Sequence, residues 1–291
     1  MSTDSPESLD GALPSADEVA AYRERGWHVT GEIVPHALLD RMRALVEEHQ
    51  HRAPDRRLPS EIGHADWSPG DGGGVRNSEF LSLQEPRARE LSLMPLIGAI
   101  AAQLAGSTTI RLFDDQAVYK PPDDGTSVVG WHTDHSYWST CTSTSMLTAW
   151  IPFEDSSIEN GTIMVVDGSH LWQESEHIRL FNEPDLTRLT EHMGRPVPES
   201  AIIPLELRKG QVSFHHMRSV HASAANRTSA PRLADAVHLQ DGANAYRPAF
   251  DTAANPIVLP HDRLCRRTPD GRPDYADPDV FPVLWSTTRD D

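Results

Sequence analysis

Near the end of the chain the run H-A-S-A-A-N-R-T-S-A-P-R places His221 eleven residues ahead of Arg232, and upstream the run G-W-H-T-D holds His132 and Asp134. A neutral imidazole binds transition metals, and a guanidinium holds a carboxylate through two parallel hydrogen bonds. Two histidines with one carboxylate leave open positions on a metal and suit iron(II) that must also meet dioxygen. Such a metal set beside a carboxylate anchor is what a protein needs to use Fe(II) with 2-oxoglutarate.

The H-x-D spacing alone says little. With 15 histidines in the chain, about one such run is expected by chance, and there are two. His64-Ala65-Asp66 sits in a stretch rich in proline and glycine with no strand to fix it, so it reads as a decoy. His132-Thr133-Asp134 enters a strand-like region, where residues two apart share a face. The third ligand must come from another strand, and His215, His216, His221 and His238 are the candidates. His221 is favoured because Ser223 shares its face and Arg232 opens the next strand. In R-L-A-D-A-V-H-L, alternation puts Arg232, Ala234, Ala236 and His238 on one side, and the two alanines leave room beside the guanidinium.

These residues need elements to hold them. Ser15 through Glu18 form a capping box that opens a helix closed by Gly26, after a lead over 1–14 expected to be disordered. W-H-V-T reads as a strand, and residues 35–50 put Leu38, Leu39, Met42, Leu45 and Val46 on one helical face. Residues 53–80 read as a long loop, and a further helix fits 86–105. From 110 onward short strands alternate with turn residues. Helices followed by many short strands predict a mostly β fold with flanking α-helices, a double-stranded β-helix or cupin-like jelly roll. The charged segment 173–200 reads as a lid over one mouth, and 251–291 as a surface wrap. Nothing demands a boundary, so 1–291 is expected to be a single domain.

A formal charge of −17 argues against nucleic acid or an anionic membrane surface as partner. Cys141 and Cys265 are far apart and form no CxxC, which fits a reduced, cytoplasmic protein. The acidic start has no signal-peptide pattern, and no apolar run reaches membrane-spanning length. A small-molecule substrate is the remaining expectation.

Taken together, K-P-P-D-D-G (120–125), W-H-T-D, A-W-I-P-F, E-N-G-T-I-M-V-V-D-G-S-H and H-A-S…N-R-T-S-A-P-R resemble the phytanoyl-CoA dioxygenase family of Fe(II)- and 2-oxoglutarate-dependent oxygenases, from about residue 18 to 241. Asp167 stands where the family usually has proline, and Ala222 where it commonly has glycine; both departures are minor. The resemblance implies iron ligands His132, Asp134 and His221, with Arg232 and Ser223 on the distal carboxylate of 2-oxoglutarate. It implies that Gln116 and Trp150 line the co-substrate, although Trp150 fits ordinary core packing equally well. Lys120 either assists the carboxylate beside iron or faces solvent. Because Asp134 is present, halogenation is disfavoured and O2-dependent oxidation is implied. His135, Tyr137 and Trp138, close to the ligands in sequence, are candidate substrate contacts or barrel-wall packing. No basic patch suggests coenzyme A phosphates. Hydroxylation of an unactivated C–H bond in secondary-metabolite tailoring is the expected activity. Desaturation, epimerisation, cyclisation, or a jelly roll that only binds ligand are the alternatives.

Overall fold

The structure, a computed structural model, describes residues 11–71, 73–123 and 125–287; the lead expected to be disordered lies outside the described residues as far as residue 10. Helix α1 (Ala16–Arg25) starts with the capping box, Ser15 and Glu18 each bonding the other's backbone N–H, and ends at Gly26 with φ +82°. Helix α2 (His36–His49) buries Leu38, Leu39, Met42, Leu45 and Val46. The helix expected over 86–105 is broken. A short α3 (Leu81–Gln84) is followed by α4 (Arg89–Ser92) and then by α5 (Pro95–Ala105). The cause is Pro95, whose ring keeps Met94 extended at ψ 118° and restarts the helix.

The strands are β1 (Trp27–Val29), β2 (Arg76–Glu79), β3 (Thr109–Lys120), β4 (Val129–His132), β5 (Leu147–Pro152), β6 (Ile163–Val166), β7 (Ile202–Pro204), β8 (Ser213–His216), β9 (His221–Ser223), β10 (Arg232–Asp241), β11 (Ala249–Phe250), β12 (Pro256–Ile257) and β13 (Val283–Ser286). One sheet runs β1-β8-β5-β10-β3-β13, with β2 also on β3; a second runs β4-β9-β6-β7. Every pairing is antiparallel. This is the jelly roll, with helices packed on the outer face of the larger sheet.

Alternation along β10 divides the molecule. Leu233, Val237 and Leu239 join Leu39, Ile97 and Ile100 in the core beneath the helices. Each such buried side chain contributes roughly 1.5–3 kcal/mol. Ala234 and Ala236 face the other way and pack with Trp150, Ile163 and Val165 between the sheets.

Two connecting segments depart from expectation. Residues 53–80, read as loop, end in β2, which pairs with Gln116–Tyr119 of β3. The tail does more than wrap the surface: β13 extends the larger sheet, α7 (Pro260–Leu264) turns inward, and Phe281 is fully buried. The 173–200 segment contains the one-turn helix α6 (Leu189–Met193) and short 3-10 turns joined by irregular chain. It crosses β4 as an added strand, with Gly130 N–H bonding Phe181 O, Leu180 N–H bonding Trp131 O and Thr133 N–H bonding Ile178 O at 2.9–3.0 Å. A Cβ at Gly130 would lie 2.0 Å from Leu180 O, so this crossing requires glycine.

Candidate metal centre and its cavity

Strand register brings the centre together. His132 and His221 are direct partners across β4 and β9, with ring centroids 4.1 Å apart. Thr133 stays extended and sends its hydroxyl outward to Ser175 O at 3.3 Å, so His132 and Asp134 both face inward. One potential ligand atom from each of His132, Asp134 and His221 lies within 4.8 Å of the others, and all three residues are buried.

Each ligand is oriented from behind. His132 Nδ1 meets Gly130 O at 2.8 Å and His221 Nδ1 meets Ser219 O at 3.0 Å, which turns Nε2 of each ring inward. Burial pushes both imidazoles below their usual range, so they present neutral lone pairs at neutral pH. The two oxygens of Asp134 differ: Oδ2 accepts from the Thr148 hydroxyl at 2.6 Å, while Oδ1 faces His221 Nε2 at 3.6 Å. This donor set fits a divalent transition metal.

The remaining histidines take other places. His215 Nε2 lies 3.3 Å from Asp134 Oδ2, and His238 Nδ1 is 2.7 Å from the Thr148 hydroxyl. His216 turns away, its Nδ1 accepting from Arg218 N–H. In the decoy motif Asp66 bonds His49 Nε2 at 3.1 Å, and His49 Nδ1 bonds Glu85 at 3.0 Å. Asp66 therefore serves a structural network away from the centre.

Arg232 opens β10 and is 1% exposed. Its Nη2 donates to Gly161 O at 3.1 Å, whereas Nε and Nη1 have no partner among the described residues. Burial lowers the guanidinium to about 10, opposed by the Glu154 carboxylate, and it stays charged at neutral pH. A buried cation with two idle donors is costly unless an anion completes it, so a carboxylate fits here. Gly161 has φ +76°, and a Cβ there would meet Ala224 O at 2.2 Å. Trp150 packs beside the guanidinium, 5.3 Å from ring centroid to Cζ. Lys120 does not face solvent: it is fully buried, and its Nζ donates to the carbonyls of Ser223 and Ala224 at 3.1 and 2.5 Å.

A cavity of about 380 Å³ joins these groups. His132, Asp134, His221, Gln116, Trp150, Ser223, Arg232, Tyr137 and Trp138 all border it, and His135 does not. Asp134 begins a 3-10 turn that brings Tyr137 back to the cavity, whereas His135, its N–H tied to Met217 O at 2.9 Å, lies off the lining. Thr148, Arg179, Phe181, Glu79, Asp114 and His261 also border the cavity and were not foreseen. Thr148 had a signal, since it alternates with Trp150 in M-L-T-A-W.

The phytanoyl-CoA dioxygenase (PhyH) family profile matches residues 15–234. A probable phytanoyl-CoA dioxygenase of Caenorhabditis elegans is 23% identical over 239 residues, 79% of this chain and 76% of that protein. The peroxisomal phytanoyl-CoA dioxygenase of Mus musculus is 24% identical over 238 residues, 79% of this chain and 70% of that protein. Among solved structures, the non-haem α-ketoglutarate-dependent carbocyclase SnoK from nogalamycin biosynthesis is 26% identical with TM-score 0.68, covering 93% of this chain and 96% of its own. The α-ketoglutarate-dependent epimerase SnoN of the same biosynthesis is 25% identical with TM-score 0.64, covering 96% and 100%. The chain belongs to the phytanoyl-CoA dioxygenase family of Fe(II)- and 2-oxoglutarate-dependent oxygenases.

Proposed function

We propose that this enzyme oxidises an unactivated C–H bond of a small-molecule metabolite, as a tailoring step in natural-product synthesis. In this reading His132, Asp134 and His221 hold Fe(II), and Arg232 with Ser223 holds the distal carboxylate of 2-oxoglutarate. The observation that carries it is the buried Arg232, with two unpaired donors in the same cavity as the three ligand side chains. When bound, iron with 2-oxoglutarate and O2 supplies the oxidising power, with release of succinate and CO2.

The chain's own residues do the positioning. Ala236 leaves room along β10 for the keto acid, and Trp150 and Ile163 wall it from water. Thr148 holds one oxygen of Asp134 so that the other keeps its direction. Tyr137, Trp138 and Phe181 border the side where the organic substrate would lie. Arg179 and Arg232 are the Lys or Arg side chains among the described cavity-lining residues, a poor match for coenzyme A phosphates.

A second outcome with the same cofactors, epimerisation or ring closure, is favoured by the likeness to SnoN and SnoK. Incubating the protein with Fe(II), 2-oxoglutarate, air and a metabolite panel tests both outcomes. Substrate-stimulated succinate with gain of one oxygen marks hydroxylation; loss of two hydrogens marks ring closure or desaturation; unchanged mass with inverted stereochemistry marks epimerisation. Succinate release equal in the protein and in Asp134→Ala would sink the reading.

A further inference from the structure

Away from Arg232 the cavity carries side chains that neither the metal nor the keto acid uses. Glu79, at the end of β2, and Asp114, in β3, both border it. Each spends one oxygen on backbone: Glu79 Oε2 accepts from Ala65 N–H at 2.7 Å, and Asp114 Oδ1 from Phe80 N–H at 3.1 Å. The Gln116 amide reaches their other oxygens only at long range, 3.5 Å to Glu79 Oε1 and 3.4 Å to Asp114 Oδ2.

An independent side chain points to the same missing partner. His261, on α7, lies flat on Phe113 with ring centroids 4.0 Å apart and planes 5° apart. Its side chain is only 7% exposed, and among the described residues neither ring nitrogen has a hydrogen bond. Nε2 stands 3.6 Å from Asp114 Oδ2, too far to satisfy either group. Burial pushes His261 down to about 4, so it is a neutral imidazole at neutral pH. Among the described residues no lysine or arginine pairs with Glu79 or Asp114. The two cavity arginines are engaged elsewhere, Arg232 at Gly161 and Arg179 over the Tyr137 ring at 4.3 Å.

The group therefore offers two carboxyl oxygens and an imidazole, all short of partners, with no cation of its own. A bound N–H donor carrying positive charge satisfies all three. We propose that Glu79, Asp114 and His261 form a subsite for a positively charged nitrogen of the organic substrate, which makes the molecule oxidised an amine. This rests on the oxygenase reading above. Burial raises both carboxyls to about 7, and an ammonium placed between them restores both to the ionised form. A neutral polyol would donate hydrogen bonds but leave both carboxyls raised toward the protonated form. The arrangement gives the cavity two recognition ends of opposite sign. Arg232 takes the acid of the co-substrate, and the carboxylates take the base of the substrate.

The test uses cyclohexylmethylammonium, cyclohexylmethanol and cyclohexanecarboxylate as probes, measured by calorimetry on the metal-free full chain. Separately, the visible band formed when Fe(II) and 2-oxoglutarate are added under argon reports on the cofactor site. The ammonium is expected to bind about tenfold tighter than the alcohol, in line with charge-assisted hydrogen bonds. Glu79→Gln/Asp114→Asn is expected to lose that preference while keeping the band, and His261→Phe to reduce it a few-fold. The proposal is overturned if the alcohol or the carboxylate binds as tightly, if none of the three binds, or if the double variant keeps the preference. Absence of the band in the unmodified protein would instead count against the oxygenase reading. If the double variant loses the band, Glu79→Gln alone, checked for folding by circular dichroism, decides by the same criterion.

Discussion

The two ends of the cavity are built by different means. At the metal end, strands set most of the geometry: His132 faces His221 across β4 and β9, whose ladder shifts register once between Val129 and His132, Asp134 follows on the turn after β4, and Arg232 opens a ten-residue strand. At the acidic end, irregular features do. Asp114 faces inward because β3 carries a bulge there, His238 pairing with Asp114 and Leu239 with Leu112, so Phe113 is the extra residue. Glu79 is followed by Phe80, a buried non-glycine residue at φ +55° whose N–H turns back to Asp114. Left-handed backbone at such a residue costs of order 1–3 kcal/mol and persists only where its surroundings hold it. A ladder fixes positions that tolerate little change; bulges, turns and short helices place groups that can differ from one relative to another.

Experiments can break this division. The largest effect belongs to Asp134→Ala, expected to lower substrate oxidation and metal affinity by at least about 100-fold, read by succinate release and by metal content after dialysis. Arg232→Ala should raise the 2-oxoglutarate KM by roughly 30-fold or more, the scale for truncating one partner of a buried charge pair. Metal affinity should stay the same, and Arg232→Lys should recover only part because it cannot form the bidentate fork. Thr148→Val should weaken metal binding by roughly tenfold with little change in 2-oxoglutarate binding. If it acts equally on both, the metal and keto-acid sites are less separable than drawn.

At the acidic end the sharper readout is stability against pH. Glu79 is raised from 4.5 to about 7, first by burial and then by Asp114. A carboxyl raised on folding contributes stability below its unfolded value that is lost as pH climbs through the folded one. Glu79→Gln should therefore be more stable than the unmodified protein at pH 8, by up to about 3 kcal/mol, and nearly equal to it at pH 4, in urea unfolding. Asp115 and Asp235, buried behind the sheet around Ser92, are raised in the same direction. The difference between variant and parent is thus the quantity to compare, since the parent's own slope contains all of them. The smallest effect is reserved for His135→Ala, which lies off the cavity and should change turnover by less than about twofold.

The same contrast explains what could be read in the chain. His132, His221, Ser223 and Arg232 sit on strands, and Asp134 lies two residues beyond His132 across an extended Thr133, so period-two alternation leaves a trace in the order of residues even though the β4–β9 register shifts between Val129 and His132. The outer helices were legible for the same reason, except where Pro95 interrupts a periodic run. Glu79, Asp114 and His261 left no comparable trace, being separated by long stretches and brought together by a bulge, a strained residue and one turn of helix. His135 shows the converse. Adjacency to a ligand in sequence suggested adjacency in space, but the 3-10 turn after Asp134 sends its side chain elsewhere.

Gly130 carries a consequence for engineering. The 173–200 segment is attached to β4 through main-chain bonds over a glycine, and the side chains it extends toward the cavity, Arg179 and Phe181, take no part in that attachment. Beside those bonds the segment is keyed by packing, since Ile178, Leu189 and Met193 share one buried cluster with Trp131 and Val220. Grafting the equivalent segment from another oxygenase of this family, with Gly130 and the buried Ile178, Leu189 and Met193 kept, should exchange the chemistry facing the substrate, and a change at Phe181, whose ring lies edge-on to His132 at 5.1 Å, should also be felt at the metal end. A bulkier residue at Gly130 would lock the exchange out.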